Sequence, residues 1–233
     1  GRYRNLGVWV VAGLALAATA ATLSPSGSGP GVTCDEGYHV SMGKRLVTAL
    51  RHQGPAFFAP ANLRRHFPWQ PDGPPAHPPL GNLILGAVHH LFDPAPNDPT
   101  QVSIHAARLA PALWLAVLVV LVGLWTVRRD GPLAGTLAAA SVVLVPRVFG
   151  HAHLAALDLL TAAFLVAAVW AVSEALRSSR PARAMALAGV VWGLALLVRI
   201  HGLLLIPPVV VASCLVFRFR AWKPLACWLA TGI

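Results

Sequence analysis

Acidic residues are scarce in this sequence, which has 8 Asp and Glu among 233 residues against 18 Lys and Arg. Charged residues of both signs make up 11% of the chain, whereas a soluble domain has about 25%. Water is therefore not the main solvent of this protein. Cysteine is also rare: Cys34, Cys214 and Cys227 form no disulfide framework, because two of them lie in or beside apolar segments.

Long apolar segments take the place of the missing charge, and several approach the length of about 18 to 20 residues that a bilayer core requires. The predicted spans are residues 6–23, 108–127, 132–149, 154–175, 184–200, 202–217 and 224–233. We therefore expect an all-α integral membrane protein, a polytopic bundle of transmembrane helices. Because the sequence begins without Met and stops inside an apolar run, we interpret residues 1–233 as the N-terminal part of a longer transmembrane domain.

The first span has an alternative interpretation as a signal peptide, because it follows Arg2 and Arg4 and ends among small residues. It is long for that role, and further spans follow it, which favours a retained first helix.

Basic residues occupy the short connections on one side of the predicted bundle. They are Arg2, Arg4, Arg128, Arg129 and the basic residues within 177–183 and 218–223. The positive-inside rule then predicts a cytoplasmic N-terminus, and in such a protein the net charge of +10 does not indicate nucleic-acid binding. All ten histidines and most of the acids fall on or near the outer face, so we expect the chemistry there.

A connection of about 80 residues, 24–105, separates the first two spans, and loops of such length are usually functional or disordered. Its middle, residues 54–79, contains too much proline for us to expect regular structure. Two amphipathic helices are predicted around it. One follows Asp35, with an apolar face of Met42, Leu46, Ala49 and Leu50 and with Lys44, Arg45 and Arg51 elsewhere on the wheel. The other, after Pro78 and Pro79, is about 13 residues long, too short to span, and so predicted to lie on the outer membrane surface; its apolar stripe is Leu80, Leu83, Ile84, Ala87, Val88 and Leu91.

Two motifs open these predicted helices. The first is Asp35 and Glu36 followed by His39 and Gly43, and the second is HPPLG at 77–81. Together they resemble the first lumenal loop of the protein O-mannosyltransferases, glycosyltransferase family 39, where an Asp-Glu pair precedes a His and a Gly and an HPPLGK-type stretch follows. RLAPAL at 108–113, LDLLTAAF at 157–164 and VVWGLALLVRIHG at 190–202 are similar to helices of that family and of the wider GT-C class. Asn82 stands where the family usually has Lys, which leaves relatives that modify lipid A or other cell-surface acceptors equally open.

The resemblance implies an enzyme that transfers a sugar from a polyprenyl-phosphate donor to an acceptor hydroxyl at the outer face. A carboxylate within hydrogen-bond reach of that hydroxyl can act as general base, and Asp35 is the candidate. Glu36 would orient the acceptor or Asp35, or help to hold a cation, while His39 and His77 would position the acceptor or the loop. The alternative for both acids is helix capping, since a helix N-terminus favours negative charge.

Negative charge grows on the departing phosphate, and cations fixed near it lower the barrier. The candidates are Arg108, Arg147, Arg199 and His201; each arginine has the alternative of snorkelling to the interface. Asp158 is predicted either to support the site by pairing with Arg147 or a histidine, or to line the donor cavity. A Mg or Mn ion is a possible cofactor, and no histidine spacing matches a zinc signature.

Two other functions fit a polytopic membrane protein: a transporter or channel subunit, and a non-catalytic scaffold resembling a glycosyltransferase. The charges cluster at outer helix ends and no pair of broken helices is evident, which counts against transport. Retention of Asp35, Glu36 and His77 counts against the scaffold. A composition rich in Ala, Arg, Pro and Gly suggests a GC-rich bacterium, and hence an inner-membrane location and undecaprenyl phosphate as carrier. Protein, lipid and glycan acceptors all remain open.

Overall fold

The computed structural model describes residues 3–23, 31–67, 77–93, 102–218 and 221–233, and all regular structure within these ranges is helical. The α-helices are α1 (Leu6–Thr22), α2 (Cys34–Gln53), α3 (Pro60–His66), α4 (Pro79–Phe92), α5 (Ile104–Asp130), α6 (Pro132–Leu144), α7 (Pro146–His151), α8 (Asp158–Ala175), α9 (Pro181–Val198), α10 (Ile206–Phe217) and α11 (Trp222–Gly232). Two 3-10 helices, Gly54–Phe58 and Ile200–Leu205, precede α3 and α10.

Four helical segments of the described chain are long and apolar enough to cross a membrane. They are Ile104–Asp130, Asp158–Ala175, Pro181–Val198 and the continuous segment Ile200–Phe217. The all-α membrane architecture predicted from the sequence is thus confirmed. The apolar helices α1 and α6 are shorter, at 17 and 13 residues.

The predicted span 132–149 is interrupted in the structure. Helix α6 ends at Leu144, Val145 is extended, and α7 begins at Pro146. Proline disfavours the helical conformation in the residue before it and removes a backbone donor, so the helix stops there. The last predicted span, 224–233, corresponds to α11, which starts at Trp222.

Two apolar clusters hold the bundle together, and α8 contributes to both. The first joins α1, α5, α6 and α8 around small and medium residues such as Val8, Leu115 and Ala163. The second joins α8 to α9, α10 and α11 around the stacked rings of Trp192 and Trp228, whose centroids are 4.2 Å apart. Helix α1 packs against α5 and α6, and its retention rather than cleavage as a signal peptide stays a prediction.

The two helices predicted in the long loop are both present as α2 and α4, and they cross in direct backbone contact. A Cβ atom on Gly43 would overlap the Asn82 carbonyl and the Gly86 backbone, so only glycine permits this approach. Helix α4 in turn packs on the bundle, because Leu85 and Val88 form a cluster with Ala110 of α5 and with Leu157. That either helix lies on the membrane surface stays a prediction.

Three features of the loop differ from what its sequence pattern suggested. Residues 54–58 and 60–66 are helical despite their prolines, which stand in first turns, where a missing N–H is tolerated; residues 68–76 lie outside the described ranges. Lys44, predicted on the polar face of α2, is only 7% exposed. Helix α4 packs on the protein through Gly81, Asn82, Leu85, Gly86, Val88 and His89, whereas Leu91 of the predicted stripe is 77% exposed.

The two ends of the bundle differ in charge. At one end, Arg4 donates to the Val127 carbonyl at 3.0 Å and Arg129 donates to Ser173 at 3.0 Å, which brings the start of α1 beside the final turns of α5 and α8. We call this end the basic face. The opposite end, where α2, α4 and the residues between α7 and α8 meet, is called the polar face. Which face is cytoplasmic stays a prediction.

Candidate active site

Glu36 is completely buried and lies at the junction of three parts of the polar face. Its carboxylate accepts hydrogen bonds from Arg108 Nε at 2.8 Å, from Arg108 Nη2 at 2.9 Å and from the Ala155 N–H at 2.7 Å. It also accepts from the Thr33 N–H at 2.9 Å, within the Thr-x-x-Glu pattern of a capping box. One carboxylate thus ties together the start of α2, the first turns of α5 and the turn before α8.

The environment of Glu36 keeps it ionised. Burial by itself raises the pKa of this carboxyl, but the hydrogen bonds from Arg108, Thr33 and Ala155 outweigh burial, and the pKa lies below its usual value. A charge held so firmly is unsuited to proton transfer near neutral pH. The helix-capping alternative therefore describes Glu36 better than an acceptor-orienting role does.

The sequence did not identify Arg108 as the partner of Glu36. Its side chain is 6% exposed, and besides Glu36 it donates to the Gly31 carbonyl at 3.1 Å. A guanidinium buried against a carboxylate is not available to a donor phosphate. The geometry thus favours a structural role for Arg108, and its predicted phosphate-binding role stays a prediction.

Asp35, by contrast, is exposed on the polar face and precedes His39 by one turn of α2. His39 is 3% exposed, and its Nδ1 lies 2.9 Å from Oδ1 of Asn82 on α4. The His77 ring centroid is 5.0 Å from that of His39. Asp35, His39 and His77 therefore come together although the last lies 42 residues from the first, and Asn82, at the family's Lys position, holds His39 in place.

Both histidines are neutral at pH 7 in this environment. Burial lowers the pKa of His39, while the Asn82 hydrogen bond and the charge of Asp35 oppose that effect without reversing it. Burial also lowers the pKa of His77, and the neighbouring His39 and Arg199 lower it further. Since Asn82 Oδ1 can only accept, His39 Nδ1 carries its proton, which leaves Nε2 as an acceptor.

Asp158 and Arg199 form a second charged group beside this one. Arg199 Nη1 donates to Asp158 Oδ1 at 2.8 Å, and His151 Nδ1 lies 3.3 Å from Asp158 Oδ2. A histidine partner for Asp158 was one predicted alternative, but the arginine partner is Arg199 and not Arg147. Arg147 is exposed at the start of α7 and forms no ion pair in the described part of the chain; both its phosphate-binding role and its snorkelling alternative stay predictions.

A pocket of about 310 Å³ opens next to this pair, between α8 and the segment Ile200–Leu205. Asp158, Arg199 and His201 supply its charged and ionisable groups, and the remaining lining is Thr161, Ala162, Leu165, Leu204 and Leu205. Arg199 Nε is buried and has no hydrogen-bond partner among the described residues. The pocket thus combines a cationic side chain with an apolar wall.

The described residues provide no binding site for the predicted divalent cation. Within the described ranges, no group of three or more His, Cys, Asp or Glu side chains is placed to hold a metal ion. Glu36, the predicted cation-holding residue, is bound to Arg108.

One known family matches most of this chain. The family described as dolichyl-phosphate-mannose-protein mannosyltransferase matches residues 76–233, more than half of the chain. The chain belongs to this family. It is a membrane glycosyltransferase of the mannosyltransferase-like type. The matched range contains His77, Asp158, Arg199 and His201 and begins after Asp35, so the role of Asp35 depends on geometry and on the motif resemblance. No curated protein and no solved structure matches the chain.

Sequence reasoning missed the Glu36–Arg108 pair, although half of the signal was present. Thr33 and Glu36 have the Ser/Thr-x-x-Glu spacing of a capping box, which predicts that Glu36 turns back to the helix start. Nothing in the local sequence identifies Arg108 or Ala155, which lie 72 and 119 residues away.

Proposed function

We propose that this glycosyltransferase moves a sugar from a polyprenyl-phosphate donor to an acceptor hydroxyl at its polar face, with Asp35 as general base. The observation that carries the proposal is the gathering of Asp35, the two neutral histidines and the Asp158–Arg199 pair around one end of the bundle. Asp35 and Arg199 both act electrostatically on His39 and on His77. The base and the phosphate-binding cation would thus both lie near the two histidines, at one reaction centre.

The donor phosphate fits the pocket between α8 and Ile200–Leu205. Arg199 has one guanidinium nitrogen on Asp158, so Asp158 fixes the orientation of a side chain that is 25% exposed and that would offer its remaining accessible donors to a phosphate oxygen. His201 is exposed in the same lining. The leucines of the pocket provide apolar surface for the first part of a lipid chain.

The chemical step is a displacement at the anomeric carbon. The acceptor hydroxyl gives its proton to the Asp35 carboxylate while its oxygen forms the new glycosidic bond. The bond from the anomeric carbon to the phosphate oxygen breaks, and its electron pair leaves with the phosphate, which becomes a phosphomonoester. Arg199 would stabilise the added negative charge, and attack from the face opposite the phosphate would invert the anomeric configuration.

Transfer of radiolabelled sugar from polyprenyl-phosphate donors to membrane acceptors tests the base. We expect Asp35→Asn in the full-length protein to lower transfer by about 10²- to 10⁴-fold, the usual contribution of a general base. The matched control is Asp130→Asn, which neutralises an exposed aspartate at the end of α5 on the basic face. Polyprenyl-phosphate mannose is the first donor to test, because the family description specifies that sugar.

Full transfer by Asp35→Asn would remove the base assignment. Substrate-dependent flux through reconstituted vesicles without any sugar transfer would instead favour the transporter alternative. A folded wild type that shows neither transfer nor flux with any donor would favour the scaffold.

A further inference from the structure

A second polar pocket lies on the basic face, at the end of α9 opposite Arg199. It has a volume of about 370 Å³ and is lined by Arg180, Pro181, Ala182, Arg183, Lys223 and Pro224. Half of these residues are cationic and none is acidic. None of the three cations forms an ion pair within the part of the chain that the structure describes. Unneutralised positive charge is therefore concentrated in one concave site.

The backbone adds to this positive charge. Helices α9 and α11 both begin at this pocket, at Pro181 and Trp222, and neither N-terminus has a side-chain cap. The first N–H groups of a helix lack intrahelical partners, and the helix dipole favours an anion beside them. Pro181 and Pro224 have no N–H, so the backbone donors in the pocket lining are those of Ala182 and Arg183 of α9 and Lys223 of α11, which add to the three cationic side chains.

The position of the pocket near a membrane surface favours a lipid as the source of the anion. Helix α9 is one of the four segments able to cross a membrane, and its 18 residues extend about 27 Å at 1.5 Å per residue, so Arg180 and Arg199 lie near opposite membrane surfaces. Trp222, next to Lys223, is 72% exposed. Exposed tryptophan at the end of a membrane helix is typical of the headgroup level of a bilayer.

We infer that the pocket lined by Arg180, Arg183 and Lys223 binds the phosphate of an anionic phospholipid, such as phosphatidylglycerol, in the leaflet at the basic face. The phosphodiester accepts hydrogen bonds from Arg183 of α9 and Lys223 of α11, and the lipid thereby links two helices of the second apolar cluster. Basic pockets between transmembrane helices are known to select anionic headgroups in this way. The site is separate from the proposed transfer reaction.

Native mass spectrometry of the full-length protein released from mixed phosphatidylglycerol and phosphatidylcholine nanodiscs tests this site. The variant is Arg183→Gln with Lys223→Gln, which removes one cation from each side of the pocket. The matched control is Arg177→Gln with Arg218→Gln, which removes two exposed cations from neighbouring connections outside the pocket lining. We expect the wild type and the control to retain phosphatidylglycerol preferentially. In the pocket variant, retention should fall about 25-fold, since each basic residue contributes about fivefold.

Equal loss in both double variants would overturn the inference, because it would show attraction to overall surface charge. Equal retention of the two lipids by the wild type would also overturn it. A parallel measurement of unfolding temperature in zwitterionic detergent compares added phosphatidylglycerol with added inorganic phosphate. Stabilisation by phosphate alone would refute a lipid occupant. Since no readout involves sugar transfer, failure here would leave the proposed function untouched.

Discussion

Replacement of Glu36 by Gln should destabilise this protein strongly, whereas Asp35→Asn at the neighbouring position should leave its stability nearly unchanged. Glu36→Gln preserves the size of the side chain but leaves the Arg108 guanidinium, 6% exposed, without its counter-charge. Removing one partner of a buried ion pair costs about 3 to 5 kcal/mol. For a chain of 150 to 250 residues, each kcal/mol corresponds to about 2 to 4 °C, so the unfolding temperature should fall by roughly 6 to 20 °C.

The assay is thermal unfolding of the purified full-length protein in one detergent, followed by intrinsic tryptophan fluorescence. Asp35→Asn is the internal control, because Asp35 is exposed and exposed substitutions usually change stability by less than about 0.5 kcal/mol. The two variants should rank in the opposite order when sugar transfer is measured. Asp35→Asn should be folded and inactive, whereas Glu36→Gln should retain activity in proportion to its folded fraction.

A compensating variant sharpens this test. Glu36→Gln combined with Arg108→Met leaves no unpaired buried charge and keeps an oxygen for the Ala155 N–H, so it should be more stable than Glu36→Gln alone. A Glu36→Gln protein that unfolds at the wild-type temperature but transfers no sugar would refute the structural role and return Glu36 to the chemistry.

Three further predictions concern the helix crossing, the donor pocket and pH. Gly43→Ala should lower the unfolding temperature, because its Cβ meets the α4 backbone and overpacking costs about 1 to 3 kcal/mol; Gly37→Ala, with open space around its Cβ, should be neutral or stabilising. Arg199→Lys should raise the KM for the donor with little change in stability, because lysine keeps the positive charge but lacks the guanidinium group. An unchanged KM would exclude Arg199 from donor binding. The pKa of Glu36 in the folded protein lies below its usual 4.5. The ionised carboxylate therefore stabilises the fold fully above that pH, and this stabilisation is lost as the pH falls through the folded pKa. The unfolding temperature of Glu36→Gln should accordingly change less with acid than that of the wild type.

Much of the architecture could be predicted because it depends on local sequence. Long uncharged runs predict membrane helices, and apolar residues at helical spacing predict α2 and α4 between them. Proline at 146 divides the predicted span 132–149 for a reason that is also local, although its effect was overlooked. The polarity of a helix face was harder to predict: Lys44 and His89 are buried because helices from distant parts of the chain cover them.

Part of the candidate site could likewise be predicted because it depends on local sequence. The sequence identified Asp35, His39, His77, Asp158 and Arg199 as chemical candidates, since their residue types and motifs are visible in a single chain. It could not identify Asn82 as the partner of His39, because α2 and α4 meet only where Gly43 and Gly86 allow their backbones to touch.

The sequence by itself determined that this is a helical membrane protein with a long loop, rich in histidine, between its first two apolar segments. Hydropathy and motif spacing are properties of the chain, and they need no knowledge of contacts. Only the tertiary structure distinguished the two adjacent acids. Glu36 is buried because Arg108 and the Ala155 N–H converge on it from two other parts of the fold, while Asp35, one residue earlier on the helix, points away from them and remains exposed. Neighbours in sequence differ by about 100° around a helix, so the packing partners decide which one is structural and which one is free to react.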